Sequence, residues 1–236
     1  MPDSFGTPRR HDLVRLAPQA AKDTRTRALG CLADSKAREL LARWLGRGHP
    51  LIVTRQPEAG EGLLSLGLAL PPRLGRHRLP FLVPACHVLH LAPPPRLETV
   101  APVLPESWQA LLSALRQNPA LRAVNPRVLG SAGMQAITGE PCLGEGSDLD
   151  LLLEAPDWRT AEAALLALKI ITEATSGPRV DGELRSPDGF DAAWREAVSA
   201  PRRILVKELR SVALEPLAVF RARFAGSPAF LEKLAA

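Results

Sequence analysis

The sequence has no tyrosine, six phenylalanines, four tryptophans and two methionines in 236 residues. So few aromatic rings leave no platform on which successive bases could stack, and the arginines are scattered rather than interleaved with aromatics. Nucleic-acid binding therefore has little support. The three cysteines, Cys31, Cys86 and Cys142, show no C-x-x-C spacing, and an odd count cannot pair fully. That argues against a disulfide framework and against a structural zinc. His87 and His90 are separated by two residues within a proline-rich stretch, which is poor support for a metal pair. No apolar run reaches the roughly 18 residues of a membrane span, and the first dozen residues hold no apolar signal core. The expectation is a cytoplasmic protein with no membrane partner.

What is present is an ordinary globular composition. Apolar residues make up 46% and charged residues 23%, enough for one medium domain or two small ones with a real core. The net charge is +5, and its cations are 25 arginines against five lysines. Arginine presents a planar fork that matches phosphate oxygens, so a phosphate-bearing or acidic partner is one reading. A coding bias is the other, and the 23 prolines agree with it. Arg73, Arg76 and Arg78 form the densest basic cluster, which reads more readily as a solvated loop than as a docking surface.

The pattern along the chain divides near residue 105. In residues 1–105, a helix is expected over Ser35–Trp44, with Leu40, Leu41 and Trp44 at helical spacing and Gly46 as its stop. Short strands follow at Leu51–Arg55, Leu63–Leu70 and Leu79–Pro84, separated by the turns Pro57–Gly62 and Pro71–Gly75. Pro80 and Pro84 demote the last of these to an edge strand. Residues 92–105 are proline-rich and read as a linker or rigid crossover. In residues 106–236, Ser107 is the candidate cap of a helix that faces Trp108, Leu111, Leu112 and Leu115 inward. Strands at Arg127–Leu129, Asp148–Glu154, Arg179–Arg185 and Ile204–Leu209 then alternate with helices at Ala132–Thr138 and from Asp157 or Thr160 to about Thr175. The expected class is α/β to α+β, a mixed sheet flanked by helices behind a smaller β-containing N-terminal region.

The chemistry concentrates around Gly130-Ser131 and Ser147-Asp148-Leu149-Asp150. Side chains alternate along a strand, so Asp148 and Asp150 share a face while Leu149, Leu151 and Leu153 point into a core. Two carboxylates about 7 Å apart on one face repel unless they are solvated or share a cation. Hard oxygen ligands suit Mg²⁺. A solvated strand end explains an isolated Asp-x-Asp equally well, but here a strand ends in Gly-Ser 17 residues earlier and leads into a helix. Backbone N–H groups at such a turn cradle phosphate. A third carboxylate is available on the next strand as Asp181 or Glu183, with Asp181 preferred. Gln135 is a candidate substrate contact or a plain helix-surface residue. Lys207 is a phosphate contact or an edge lysine. His11 and Asp12 read best as a turn, and Trp194 as core.

The order Gly-Ser, Asp-x-Asp, third carboxylate resembles the nucleotidyltransferase superfamily, whose fold is a small mixed sheet flanked by helices. Gly130 to Gly139 and Ser147 to Leu152 look more narrowly like the core motif of the malonate decarboxylase holo-acyl-carrier-protein synthases, which are phosphoribosyl-dephospho-CoA transferases. Arg10-His11-Asp12-Leu13, the Leu51–Arg55 strand, Asp181-Gly182-Glu183-Leu184, Ala193-Trp194-Arg195-Glu196 and Leu205-Val206-Lys207 fit the same family. The resemblance thus covers most of the chain. Met134 stands where the family pattern has an aromatic residue, and the tyrosine common near Cys142 is missing.

The resemblance implies transfer of a phosphoribosyl-dephospho-CoA unit from triphosphoribosyl-dephospho-CoA to a serine of the apo acyl-carrier subunit of malonate decarboxylase, with release of diphosphate. It implies two Mg²⁺ ions roughly 4 Å apart clamping the attacking and leaving oxygens. Asp148 and Asp150 would hold them, and Asp181 would ligate one or take the serine proton. Gly130, Ser131 and Ser147, with Gln135 and Lys207, would bind the substrate. Two other functions fit fewer residues. One is a nucleotidyltransferase that uses an ordinary nucleoside triphosphate. The other is a non-enzymatic, arginine-rich binder of RNA or phosphate, against which the Gly-Ser and Asp-x-Asp pairing argues.

Overall fold

The computed structural model describes residues 6–30, 34–56, 62–75 and 78–225. Cys31, Arg76, His77 and most of the expected Pro57–Gly62 turn lie outside them. The chain forms two units: residues up to Pro94 together with Ile137–Leu143, and Pro95–Ala136 together with Gly144 onward. Among the described residues no helix is long and apolar enough to cross a membrane.

In the first unit, β1 (Leu13–Leu16), β2 (Arg27–Ala28), β3 (Leu51–Val53), β4 (Leu63–Ala69), β5 (Arg78–Pro84) and β6 (Val88–Ala92) form an antiparallel sheet in the order β2-β5-β4-β3-β1-β6. Helix α1 (Asp34–Gly46) buries Ala37, Leu41, Trp44 and Leu45; of the three residues expected at helical spacing, Leu41 and Trp44 are in the core and Leu40 is half-buried. The turn at Arg10 and His11 is as expected, with the carboxylate of the buried Asp12 accepting from the Arg9 amide.

The prolines of β5 misdirect the sequence reading. β5 is not an edge strand, because β2 flanks it on the far side from β4. The sheet accommodates this because β2 pairs only with Leu82 and Phe81. Pro80, with no N–H to give, contributes its carbonyl to the Leu29 amide instead.

Residues 92–105 are likewise not a plain linker. They contain α2 (Leu97–Val100), and Leu97, Val100, Ala101 and Leu104 are buried in the second unit. Ser107 caps nothing: it lies inside a 3-10 turn, Glu106–Trp108, that runs directly into α3 (Gln109–Gln117). The apolar face is the expected one, with Trp108, Leu111, Leu112 and Leu115 all buried.

Helix α4 (Pro119–Ala123) is capped by Asn118, whose Oδ1 accepts from the Ala120 and Leu121 amides at 3.0 and 3.3 Å. Asn118→Ala should cost about 1 kcal/mol. Urea titration would read this as a lower midpoint at unchanged slope.

The second unit's sheet runs β12-β11-β10-β9-β8-β7. Its members are β7 (Arg127–Val128), β8 (Leu149–Glu154), β9 (Val180–Arg185), β10 (Asp191–Ala193), β11 (Arg203–Lys207) and β12 (Val212–Pro216). Only β8 and β9 pair in parallel, because α6 (Trp158–Ala174) crosses over between them. α6 is capped by Asp157, which accepts from the Thr160 amide at 2.8 Å. It buries Ala161, Ala164, Leu165 and Leu168.

β8 carries Leu152 as well as Leu149, Leu151 and Leu153 into the interior, so the strand is covered on both faces beyond its first residues. Helix α7 (Trp194–Ser199) places Trp194 in the core, with the Arg195 guanidinium 4.6 Å from its ring. Helix α8 (Leu217–Ala222) follows β12.

An ionic network, buried at Arg185 and Asp191 and partly exposed at Arg127 and Glu154, crosses this sheet at the far end of β8. Arg185, 2% exposed, grips Asp191, 0% exposed, with Nε–Oδ1 at 2.6 Å and Nη2–Oδ2 at 3.0 Å. Glu154 lies 3.8 Å from Arg185 Nη1 and accepts from Arg127 Nε at 3.2 Å. Four adjacent strands, β7 to β10, are thereby linked through paired charges, the form in which a sheet interior tolerates them.

Candidate active site

The beginning of β8 is organised differently from its end. β7 pairs with β8 through Val128 and Leu151, and the next residue, Leu129, gives its amide to the Asp150 carbonyl at 2.8 Å. The chain then turns at Gly130, in the left-handed region with φ +60°, and starts α5 (Gly130–Thr138). A Cβ at Gly130 would lie 2.2 Å from Asp150 Oδ2. The absence of a side chain is therefore what lets the Asp150 carboxylate sit against the turn. Ser131 follows in the first turn of α5, whose leading N–H groups have no partner within the helix. The positive end of a helix beside a carboxylate is the arrangement that suits phosphate and cation together.

On the other side of Asp150, β9 sets the third carboxylate. Asp150 pairs in register with Asp181, Leu149 with Val180, and Leu151 with Gly182. Paired residues of parallel strands project to the same face, so Asp181 stands beside Asp150. Gly182 has φ +126°, and a Cβ there would lie 1.8 Å from the Leu151 carbonyl oxygen. Only glycine lets β9 approach β8 so closely next to Asp181. Asp181 Oδ1 accepts from the Gly182 amide at 2.9 Å, and Oδ2 from Arg179 Nη2 at 2.9 Å.

The turn before Asp148 is closed by Ser147, whose amide donates to the Gly144 carbonyl at 3.1 Å and whose Oγ accepts from the Gly144 amide at 2.9 Å. Its hydroxyl proton stays available to donate. Gln135 is half-buried further along α5. Lys207 is no edge residue, because β12 covers β11. Its Nζ bonds Glu183 Oε1 at 2.8 Å. Glu183 pairs in register with Leu152, one full alternation beyond Asp181.

The structure thus gathers Gly130, Asp150 and Asp181; β8 starts at Leu149 rather than at Asp148 as expected, so Asp148 ends the turn just ahead of the strand. Lys207 belongs to a separate pair with Glu183. The sequence reading missed Arg179, although its spacing of two from Asp181 was the available signal. The chemistry of Asp150 and Asp181 suits a divalent ion, since both offer hard oxygen donors from adjacent strands, and the side-chain-free Gly130 lets the Asp150 carboxylate take its place against the turn.

Within the first unit, Glu140 receives Arg47 and Arg73, with His49 Nε2 at 3.6 Å. Its carboxyl is held below the usual range, chiefly by the Arg73 hydrogen bond. Burial pushes His49 below its ordinary value in spite of Glu140. Arg73 is thus a half-exposed ion-pair partner. Nearby, the Cys142 thiol is buried and pushed up by that burial. His87 pairs with Asp23 at 2.8 Å, while His90 is exposed on β6.

Comparison with known proteins bears on both units. Residues 9–94 match the family model described as the phosphoribosyl-dephospho-CoA transferase MdcG N-terminal domain, and residues 96–218 match that of the C-terminal domain. A phosphoribosyl-dephospho-CoA transferase of Bradyrhizobium diazoefficiens is 35% identical over 211 residues, 88% of this chain and 89% of that protein. The enzyme of the same name from Xanthomonas campestris pv. campestris is 34% identical over 201 residues, 84% of this chain and 89% of its own. A third, from Azotobacter vinelandii, is 33% identical over 181 residues, 74% and 82% of the two chains. No solved structure matches.

Proposed function

The chain belongs to the phosphoribosyl-dephospho-CoA transferase family and is a transferase enzyme, and on that premise we propose a specific reaction. The phosphoribosyl-dephospho-CoA group passes from triphosphoribosyl-dephospho-CoA to a serine of the apo acyl-carrier subunit of malonate decarboxylase, in the cytoplasm, on a nucleotidyltransferase-like scaffold. The serine oxygen bonds to the phosphorus next to the ribose, the bond from that phosphorus to the diphosphate breaks, and the serine proton leaves.

The observation that carries this reading is the pairing of Asp150 with Asp181 in register, with Gly130 seated against Asp150. It favours Asp181 over Glu183 as the third carboxylate, since Asp181 is the one in register with Asp150, whereas Glu183 pairs with Leu152. Asp148, Asp150 and Asp181 would hold Mg²⁺, which supplies neutralisation of charge on the phosphate oxygens.

The remaining work falls to the chain itself. The amides after Gly130 and the Ser131 hydroxyl hold the phosphates of the leaving group. Ser147 fixes the turn that delivers Asp148. Asp181 orients the serine hydroxyl and accepts its proton. Gln135 is a further proposed contact to the substrate, as is Lys207, its ammonium shared with Glu183. Catalysis is then mostly positioning and charge compensation.

Diphosphate release tests the substrate class. With apo carrier and Mg²⁺, triphosphoribosyl-dephospho-CoA should release diphosphate at least about 100-fold faster than ATP, the discrimination expected when a site is built for the larger group. Equal or faster release from ATP would favour the ordinary nucleotidyltransferase.

A further inference from the structure

Arg179 belongs to none of the motifs read from the sequence, yet it reaches the face of the carboxylates. The Leu149 amide donates to the Arg179 carbonyl at 2.8 Å. Leu149 pairs with Val180 and Asp150 with Asp181. Strand alternation puts Asp150 and Asp181 on one face. Arg179, just ahead of β9, reaches that face through its hydrogen bond to Asp181. Two neighbouring carboxylates thus share their surroundings with one guanidinium.

The guanidinium is bound where a cation is wanted. Asp181 Oδ1 is occupied by its neighbour's amide, and Oδ2, the remaining oxygen, receives Arg179 Nη2 at 2.9 Å. The Arg179 side chain is 60% exposed and that of Asp181 33%. An ion pair this exposed contributes little to folding and breaks readily. A divalent ion on the same carboxylate would displace the guanidinium by like-charge repulsion. The displaced fork would then lie next to bound phosphates, to which its geometry is matched.

We propose that Arg179 is a substrate-binding residue with two positions: in the metal-free protein it neutralises Asp181, and in the loaded protein it grips a phosphate oxygen of the triphosphate. This rests on the carboxylate site proposed above.

The two positions predict opposite effects from one substitution in the full-length chain. Calorimetric titration with Mg²⁺ alone should show Arg179→Ala binding the ion about two- to five-fold more tightly, since a competing cation is gone. Inorganic tripolyphosphate in the presence of Mg²⁺ should bind on the order of tenfold more weakly. The KM for triphosphoribosyl-dephospho-CoA should rise by a similar factor, with kcat less affected. Arg179→Lys should restore part of the KM. Unchanged or weaker Mg²⁺ binding by Arg179→Ala, or unchanged tripolyphosphate binding, would overturn the proposal. Asp148→Asn/Asp150→Asn separates the two levels. If that variant loses Mg²⁺ while Arg179→Ala behaves as the wild type, only the role of Arg179 fails. If it binds Mg²⁺ as the wild type does, the carboxylate site fails and the role of Arg179 with it.

Discussion

Asp150→Asn is expected to lower turnover about 10³-fold or more, equivalent to roughly 4 kcal/mol of transition-state stabilisation, while the protein stays folded. Asparagine keeps the volume and one carbonyl oxygen, so the packing at Gly130 and the pairing with Asp181 are retained. What would be lost, on the proposed reaction, is a negative charge that holds the cation beside the reacting phosphate, where catalysis is mostly charge compensation and positioning. Removing one of two neighbouring carboxylates also relieves repulsion when no divalent cation is added, so thermal stability should hold or rise slightly. A fall in activity matched by a fall in melting temperature would instead assign Asp150 to the fold. Steady-state kinetics alongside a thermal melt distinguishes the two.

Gly130→Ala is the second large effect, and it acts through the same side chain. The new methyl group would need the space 2.2 Å from Asp150 Oδ2, so that carboxylate or the turn must shift. The φ of +60° at Gly130 adds a left-handed strain of about 1–2 kcal/mol. A displacement on the order of 1 Å at reacting groups costs about 10²-fold in rate. The expected result is a loss of that size in kcat, with a stability loss no greater than the backbone strain. A variant with full activity would show that Asp150 has another working position and that the close approach to Gly130 is incidental.

The arrangement of the candidate site was legible in the sequence where covalent spacing controls it. Gly130-Ser131, the alternation of Asp148 and Asp150, and a carboxylate on the following strand are local patterns, and α6 between β8 and β9 makes their pairing parallel. What spacing cannot supply is register. Asp181 and Glu183 are equivalent by alternation, and they differ only because one faces Asp150 and the other meets Lys207. Arg179 was overlooked because a charged residue at a strand entry reads as solvent-exposed, and it is indeed 60% exposed.

The fold was missed where tertiary contacts override local signals. β10 is Asp-Ala-Ala, with little intrinsic strand preference, and it forms because Asp191 is clamped by Arg185. Prolines misled twice. Residues 92–105 carry buried Leu97, Val100 and Leu104 between their breaks, and β5 tolerates Pro80 inside the sheet because the two-residue β2 never asks for its N–H. Lys207 was expected at an edge because the last strand read from the sequence was Ile204–Leu209, and β12 beyond it was not read.

The most direct measurement is the intact mass of the apo carrier subunit after incubation with the enzyme, Mg²⁺ and triphosphoribosyl-dephospho-CoA, with the Asp148→Asn/Asp150→Asn variant in parallel. A gain equal to one phosphoribosyl-dephospho-CoA unit on a single serine, absent with the variant, is the predicted result. An unmodified carrier with the wild-type enzyme would contradict the proposed acceptor, and an equal gain with the variant would contradict the proposed site.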